Sequence, residues 1–249
     1  MPAKPRPRIY ASVPKLWPGE TVVCIASGPS LTEADVNYVR GRAHVIAINN
    51  NWELAPWADV LHANDGRWWH WHKGVPSFKG LKYSLSHSAR MWPDVNVLRR
   101  AHDAKGISFD PKALCNYGLN SGYAAINLAV HLGAKRIILL GYDMQVGPNK
   151  EEHWHKDHRN RSRSEYPIFL RRFSAMTEPL EKAGIEVINC TRRTAIETFP
   201  LMSLEDALPF IDISEHFENA PDVDPVEACQ GLIKKGTGQM TGVWKPQEL

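Results

Sequence analysis

Apolar and polar residues fall in blocks along this chain. Val22-Val23-Cys24-Ile25 is an uninterrupted apolar run that breaks at Ala26-Ser27-Gly28-Pro29-Ser30. A run of this kind predicts a strand buried on both faces, and Gly-Pro turns the chain out of the sheet. A helix over about Leu31 to Arg40 follows, with Ser30 and Glu33 at the spacing of a capping box. The same block recurs. Ala43 to Ile48, Asp59 to Ala63, Lys79 to Ser84, Asn96 to Leu98, Ile137 to Leu140 and Ile185 to Asn189 are predicted strands. Between Asn120 and Gly133 the period changes: Ala125, Leu128, Ala129 and Leu132 share one helical face, and Gly133 stands where a helix ends. A second helix is predicted over about Ser164 to Ala183, and Ser203 with Asp206 caps a short third one.

Strands alternating with helices predict an α/β protein with a doubly wound, mostly parallel, Rossmann-like sheet. Residues 1–20 carry five prolines and read as an extended N-terminal arm. Residues 21–209 form the predicted domain, 210–249 a C-terminal tail, and 99–116 an irregular loop over the site. No repeat is evident.

Composition narrows the class. With 43% hydrophobic and 23% charged residues the chain is of soluble globular type. No apolar run reaches the roughly 18 residues of a membrane span, and the N-terminus lacks the apolar stretch of a secretory leader. The expected location is the cytoplasm of the cell that makes the protein. Cys24, Cys115, Cys190 and Cys229 have no paired spacing, so reduced thiols are expected. A net charge of +3 does not announce a nucleic-acid binder. Arg159, Arg161, Arg163, Arg171, Arg172, Arg192 and Arg193 nevertheless concentrate guanidinium groups, which suit phosphate, although a solvated surface is the better reading of most of them. Nine tryptophans include Trp68, Trp69 and Trp71 in one short stretch, too dense to read as core alone.

Candidate chemistry gathers at strand ends. A strand, a small-residue turn and a helix start place free N–H groups and a positive dipole end at the carboxyl edge of a sheet, where α/β proteins hold nucleotides. The first turn is neither a Walker loop nor a dinucleotide fingerprint. Strand two ends in Asn49-Asn50-Asn51, whose amides can bond a base, ribose or phosphate or simply cap the next turn. Strand three ends at Asp65, a carboxylate suited to ribose hydroxyls or a metal, and a later strand at Asp143. The helix opened by Asn120-Ser121-Gly122 has no acidic residue in its first turn, which leaves its dipole end open to an outside anion.

His153, His155 and His158 admit three readings. One imidazole acts as general base, or the three with Asp157 hold zinc or another transition metal, or the segment is plain surface. Trp154 supplies an apolar anchor, against the last.

Taken in order, Gly28-Pro29-Ser30-Leu31, Asn49, Asn120-Ser121-Gly122, Leu140-Gly141-Tyr142-Asp143 and the histidine segment resemble a superfamily with two branches. One is the bacterial sialyltransferases that use CMP-sialic acid. The other is the 6-hydroxymethylpterin diphosphokinase-like family, with relatives among motility accessory factors, which Val187-Ile188-Asn189-Cys190-Thr191 and Phe199-Pro200 resemble. Ala55-Pro56-Trp57-Ala58-Asp59 and His153-Trp154-His155 look like uncharacterised phage and prophage proteins. The resemblance covers about residues 20–209.

It implies that Ser27, Gly28, Pro29 and Ser30 line the nucleotide, with Asn49, Asn50, Asp65, Asn120, Ser121 and Gly122 completing its site. His158 would deprotonate the acceptor, with His155 and Asp143 as further catalytic candidates. The sequence departs from the sialyltransferase pattern at Ser27, where that branch has asparagine, and at Met144-Gln145-Val146, where it supplies tyrosines to phosphate. Lys156, Arg159 or Arg161 are the substitute donors. The expected activity is glycosyl transfer from a nucleotide sugar, with no obligatory cofactor. The acceptor would be a glycan or modified nucleic acid stacked on Trp68 to Trp71, and homo-oligomers are compatible with this. ATP-dependent diphosphate transfer to a pterin-like alcohol is a second reading, with Mg²⁺ on Asp65 and Asp143. A non-catalytic nucleotide- or partner-binding module of phage origin is a third.

Overall fold

The structure, a computed structural model, describes residues 10–156 and 165–209. Seven strands make one parallel sheet: β1 (Thr21–Ile25), β2 (His44–Ile48), β3 (Val60–His62), β4 (Leu81–Ser84), β5 (Val95–Val97), β8 (Arg136–Leu140) and β9 (Glu186–Asn189). Their order is β5-β4-β3-β2-β1-β8-β9, so the chain winds outward from β1 and then returns to β1's other side. The doubly wound α/β expectation holds.

The apolar run 22–25 builds both cores. Val22 and Cys24 point into a cluster with α3 (Ser121–Leu132), while Val23 and Ile25 point into one with α1 (Glu33–Val39). All four are fully buried, as a central parallel strand requires. Residues 10–20 run extended along the domain. Val13 and Trp17 are buried, and the Trp17 amide donates to the Leu132 carbonyl. Gly133 adopts φ 107° directly after α3, a left-handed cap that favours glycine.

Three local expectations are corrected. Helix α1 starts at Glu33, capped by Thr32 and Asp35 in place of Ser30 and Glu33. Thr32 Oγ1 accepts from the Asp35 amide at 3.2 Å, and the Thr32 amide donates to Asp35 Oδ2 at 3.1 Å. The single helix expected over 164–183 is two, α4 (Tyr166–Phe173) and α5 (Thr177–Lys182), joined by a 3₁₀ turn. Pro179 explains the break, because its ring crowds the carbonyl four residues back. Residues 99–116 form two short parallel strands, β6 (Arg99–Ala101) and β7 (Ala113–Cys115). They are not a lid. Asn127, fully buried on α3, accepts from the Ser108 and Cys115 amides and donates to the Ser108 carbonyl, which ties the segment beneath the helix.

Candidate functional site

The order reverses between β1 and β8, so the crevice at their carboxyl ends is the topological switch point, where open α/β sheets bind ligands. Both loops there are held tightly. Gly28 donates to the Gly141 carbonyl at 2.8 Å, and the Ser30 amide donates to Asp143 Oδ2 at 3.0 Å. A β-carbon on Gly28 would collide with Asp143 Oδ1 and the Gly141 carbonyl. Gly141 takes φ 68° with the Ala26 carbonyl where a side chain would start, so only glycine closes this crossing.

Asp143 is therefore a brace for the first loop. It is 1% exposed, and its Oδ1 has no hydrogen-bond partner among the described residues. Burial pushes its carboxyl above the usual carboxylate range, against the pull of Ser30's hydrogen bonds and the charge of Arg193. The Ser30 hydroxyl accepts from the Arg193 amide at 3.3 Å. With the Ser30 amide engaged by Asp143 and α1 capped by its own residues, this turn keeps few donors for an outside phosphate.

The asparagine triplet divides its labour. Asn49 begins a 3₁₀ turn at φ 52°, half-buried. Asn50, buried, accepts from Trp68 Nε1 at 2.7 Å. Asn51 is the hub. Fully buried, it donates to the Ile25 and Ile48 carbonyls and to Ser27 Oγ, and its Oδ1 accepts from Trp154 Nε1 at 2.8 Å. The Trp154 amide also donates to the Ser27 carbonyl at 3.1 Å. The ends of β1 and β2 thus pin the histidine segment. Beside this anchor the rings of His153 and His155 stack at 5.2 Å between centroids, nearly parallel.

On the other face, α3 points its N-terminus at the same edge. Asn120 caps it, accepting from the Tyr123 amide at 2.8 Å, and its first turn holds no acid. Ser121 Oγ accepts from the Asn64 amide, joining α3 to the end of β3. Gly122 packs on the Tyr142 ring, whose hydroxyl donates to the Gly122 carbonyl at 3.0 Å. Near them His62, fully buried, bonds Asn64 Oδ1, and burial pulls its imidazole down to about 4 against that bond.

Other expected site residues lie elsewhere or serve the fold. Asp65 caps α2 (Gly66–Trp71) by accepting from the Arg67 amide, and its carboxylate pairs with the Arg67 guanidinium. Trp68 and Trp69 are buried, which overturns their expected stacking on an acceptor. Their indole N–H groups bond Asn50 and the Ala63 carbonyl, and an edge-to-face pair at 5.0 Å fills the second core. Lys156 is exposed; His158, Asp157, Arg159, Arg161 and Arg163 fall outside the described residues. Among the described residues no group of three histidine, cysteine, aspartate or glutamate side chains is placed to hold a metal ion.

Sequence reading did not single out Asn51, His62 or Asn64, and named Arg193 only as one of seven clustered arginines. Asn51 could have been found only as one of three equal neighbours. The signal for His62 was a lone histidine ending an apolar strand, which more often means core.

A doubly wound sheet whose loops interlock at the switch point defines a Rossmann-like protein with its candidate site at the carboxyl edge. The likeness to solved structures is narrower and lies with glycosyltransferases. The MAf glycosyltransferase of Magnetospirillum magneticum AMB-1 superposes with a TM-score of 0.56 at 14% identity over 92% of this chain. This chain spans 39% of that protein's length. The sialyltransferase CstII of Campylobacter jejuni, in a complex with cytidine-5′-monophosphate, is similar at a TM-score of 0.49 and 13% identity, over 77% of this chain and 88% of its own. The sequence matches no protein-family model and no curated protein. What this chain shares with the MAf glycosyltransferase is the fold.

Proposed function

We propose that this protein is a nucleotide-dependent transferase that moves a glycosyl group from a nucleotide-sugar donor, CMP-sugar-like, to a hydroxyl acceptor. One observation carries the reading. The ends of β1, β2, β3 and β8, the first turn of α3 and the histidine segment are hydrogen-bonded to one another around a single switch point. In this reading the nucleotide lies between the Ser27–Ser30 loop and the Asn120–Gly122 turn, with Asn49 at its rim. The acceptor oxygen attacks the anomeric carbon and the bond to the phosphate oxygen breaks. The phosphate leaves with the electron pair, and the acceptor proton passes to an imidazole of the Trp154-anchored segment, His155 or His158. Preorganised donors, not a cofactor, would carry the leaving group's charge.

The test is a thermal-shift panel of CMP, UDP, GDP and ATP with and without Mg²⁺, followed by release of nucleotide from the matching sugar donor. A Mg²⁺-independent shift with a cytidine nucleotide is expected, as is loss of turnover with binding kept in His155→Ala or His158→Ala. A chain that none of the four nucleotides stabilises overturns the reading.

A further inference from the structure

Two adjacent arginines after β9 meet different fates. Arg192 is committed: its Nε and Nη2 form a forked pair with the buried Asp35 carboxylate at 2.8 to 3.1 Å, which locks the cap of α1. That pair holds Asp35 below the usual carboxylate range even though burial alone would raise it. Arg193 is differently placed. Its amide bonds Ser30 Oγ, and Nη2 donates to the Val146 carbonyl at 2.7 Å in the loop after β8. Its charge also acts on Asp143. It therefore bridges the two loops of the switch point, and no carboxylate forms an ion pair with it among the described residues.

From this placement we infer that Arg193 is the phosphate-binding residue of the site, its guanidinium taking a nonbridging phosphate oxygen of the nucleotide. The inference rests on the nucleotide reading above and deepens it. Three features support it. A guanidinium held at the surface of the site by one backbone carbonyl keeps Nε–H and Nη1–H to offer, in the fork geometry that fits phosphate. Asp143, on which the charge of Arg193 acts, has one oxygen bonded to the Ser30 amide, so that carboxylate is spent on bracing the first loop and makes no ion pair with the guanidinium. The Arg193 amide on Ser30 Oγ and its Nη2 on the Val146 carbonyl hold the residue where the loops after β1 and β8 meet.

The test separates phosphate recognition from nucleoside recognition. Calorimetric titrations would compare cytidine, uridine, adenosine and guanosine with their 5′-monophosphates on the full chain, in wild type, Arg193→Met, Arg193→Lys and Arg192→Met. Arg193→Met should lose about 10- to 100-fold in affinity for the preferred monophosphate, the range of a charge-assisted hydrogen-bonded contact, with nucleoside affinity unchanged. Arg193→Lys should fall between. Arg192→Met should melt earlier yet keep the monophosphate-to-nucleoside ratio. Wild type that binds none of the eight compounds overturns both the nucleotide reading and this inference. Wild-type binding that Arg193→Met leaves intact, or that Arg192→Met weakens equally, overturns the inference alone.

Discussion

Replacing Asn51 with leucine isolates the hub of the site. Leucine keeps the same γ-branched skeleton of heavy atoms and is the bulkier of the two, so the change removes hydrogen bonds without opening a cavity. Four partners lose an Asn51 bond, the carbonyls of Ile25 and Ile48, Ser27 Oγ and the indole N–H of Trp154; the Ser27 hydroxyl can rotate to another mate, which leaves three groups without one. The asparagine orientation is itself determined, because an indole N–H only donates and must meet Oδ1. Nδ2 then shares two hydrogens among three acceptors, so its bonds are individually below full strength. At about 1 kcal/mol for each group left without a mate, near the low end for buried ones, the loss is about 3 kcal/mol. For a domain of about 200 residues this lowers the melting temperature by about 6–12 °C. Denaturant unfolding of Asn51→Leu, Trp154→Phe and the double variant checks it. Trp154→Phe alone should cost about 1–2 kcal/mol, and the two changes should couple by at least about 0.5 kcal/mol because they break one shared bond. A loss under about 1 kcal/mol for Asn51→Leu, or strict additivity, refutes the hub.

Gly28→Ala should destabilise by about 1–3 kcal/mol in the same unfolding assay, since its methyl meets Asp143 Oδ1 and the Gly141 carbonyl; an unchanged midpoint refutes the crossing. Asp143→Asn should be nearly neutral at acid pH and stabilising near pH 7. A carboxyl held above its unfolded value contributes stability below that value and loses it as pH rises through the folded one, so the difference between variant and wild type must grow with pH. His62 should show no imidazole titration by NMR between about pH 5.5 and 8, because burial pulls it down to about 4. Its neutral form favours the fold, so stability should fall as pH drops from 6.5 toward 4.

Sequence by itself determined the layers and set the candidate polar residues at the strand ends. Val22–Ile25 could only be a strand covered on both sides, and the face of Ala125, Leu128, Ala129 and Leu132 could only be a buried helix. Both are local statements about apolar period, and local statements survive in isolation. Tertiary structure decided which polar residue at each address serves the site. Thr32 and Ser30 offer equal caps until Asp143 takes the Ser30 amide and Arg192 takes Asp35. Asn49, Asn50 and Asn51 are alike until the ends of β1 and β2 and the Trp154 indole surround only the last. Trp68 and Trp69 read as a platform until their N–H groups find acceptors inside the core. The reason is the reach of the interactions. Hydrophobic period repeats within a few residues, whereas the partners that single out Asn51 and Ser30 include groups 26 to 163 positions away, which meet only when the sheet closes at β1 and β8.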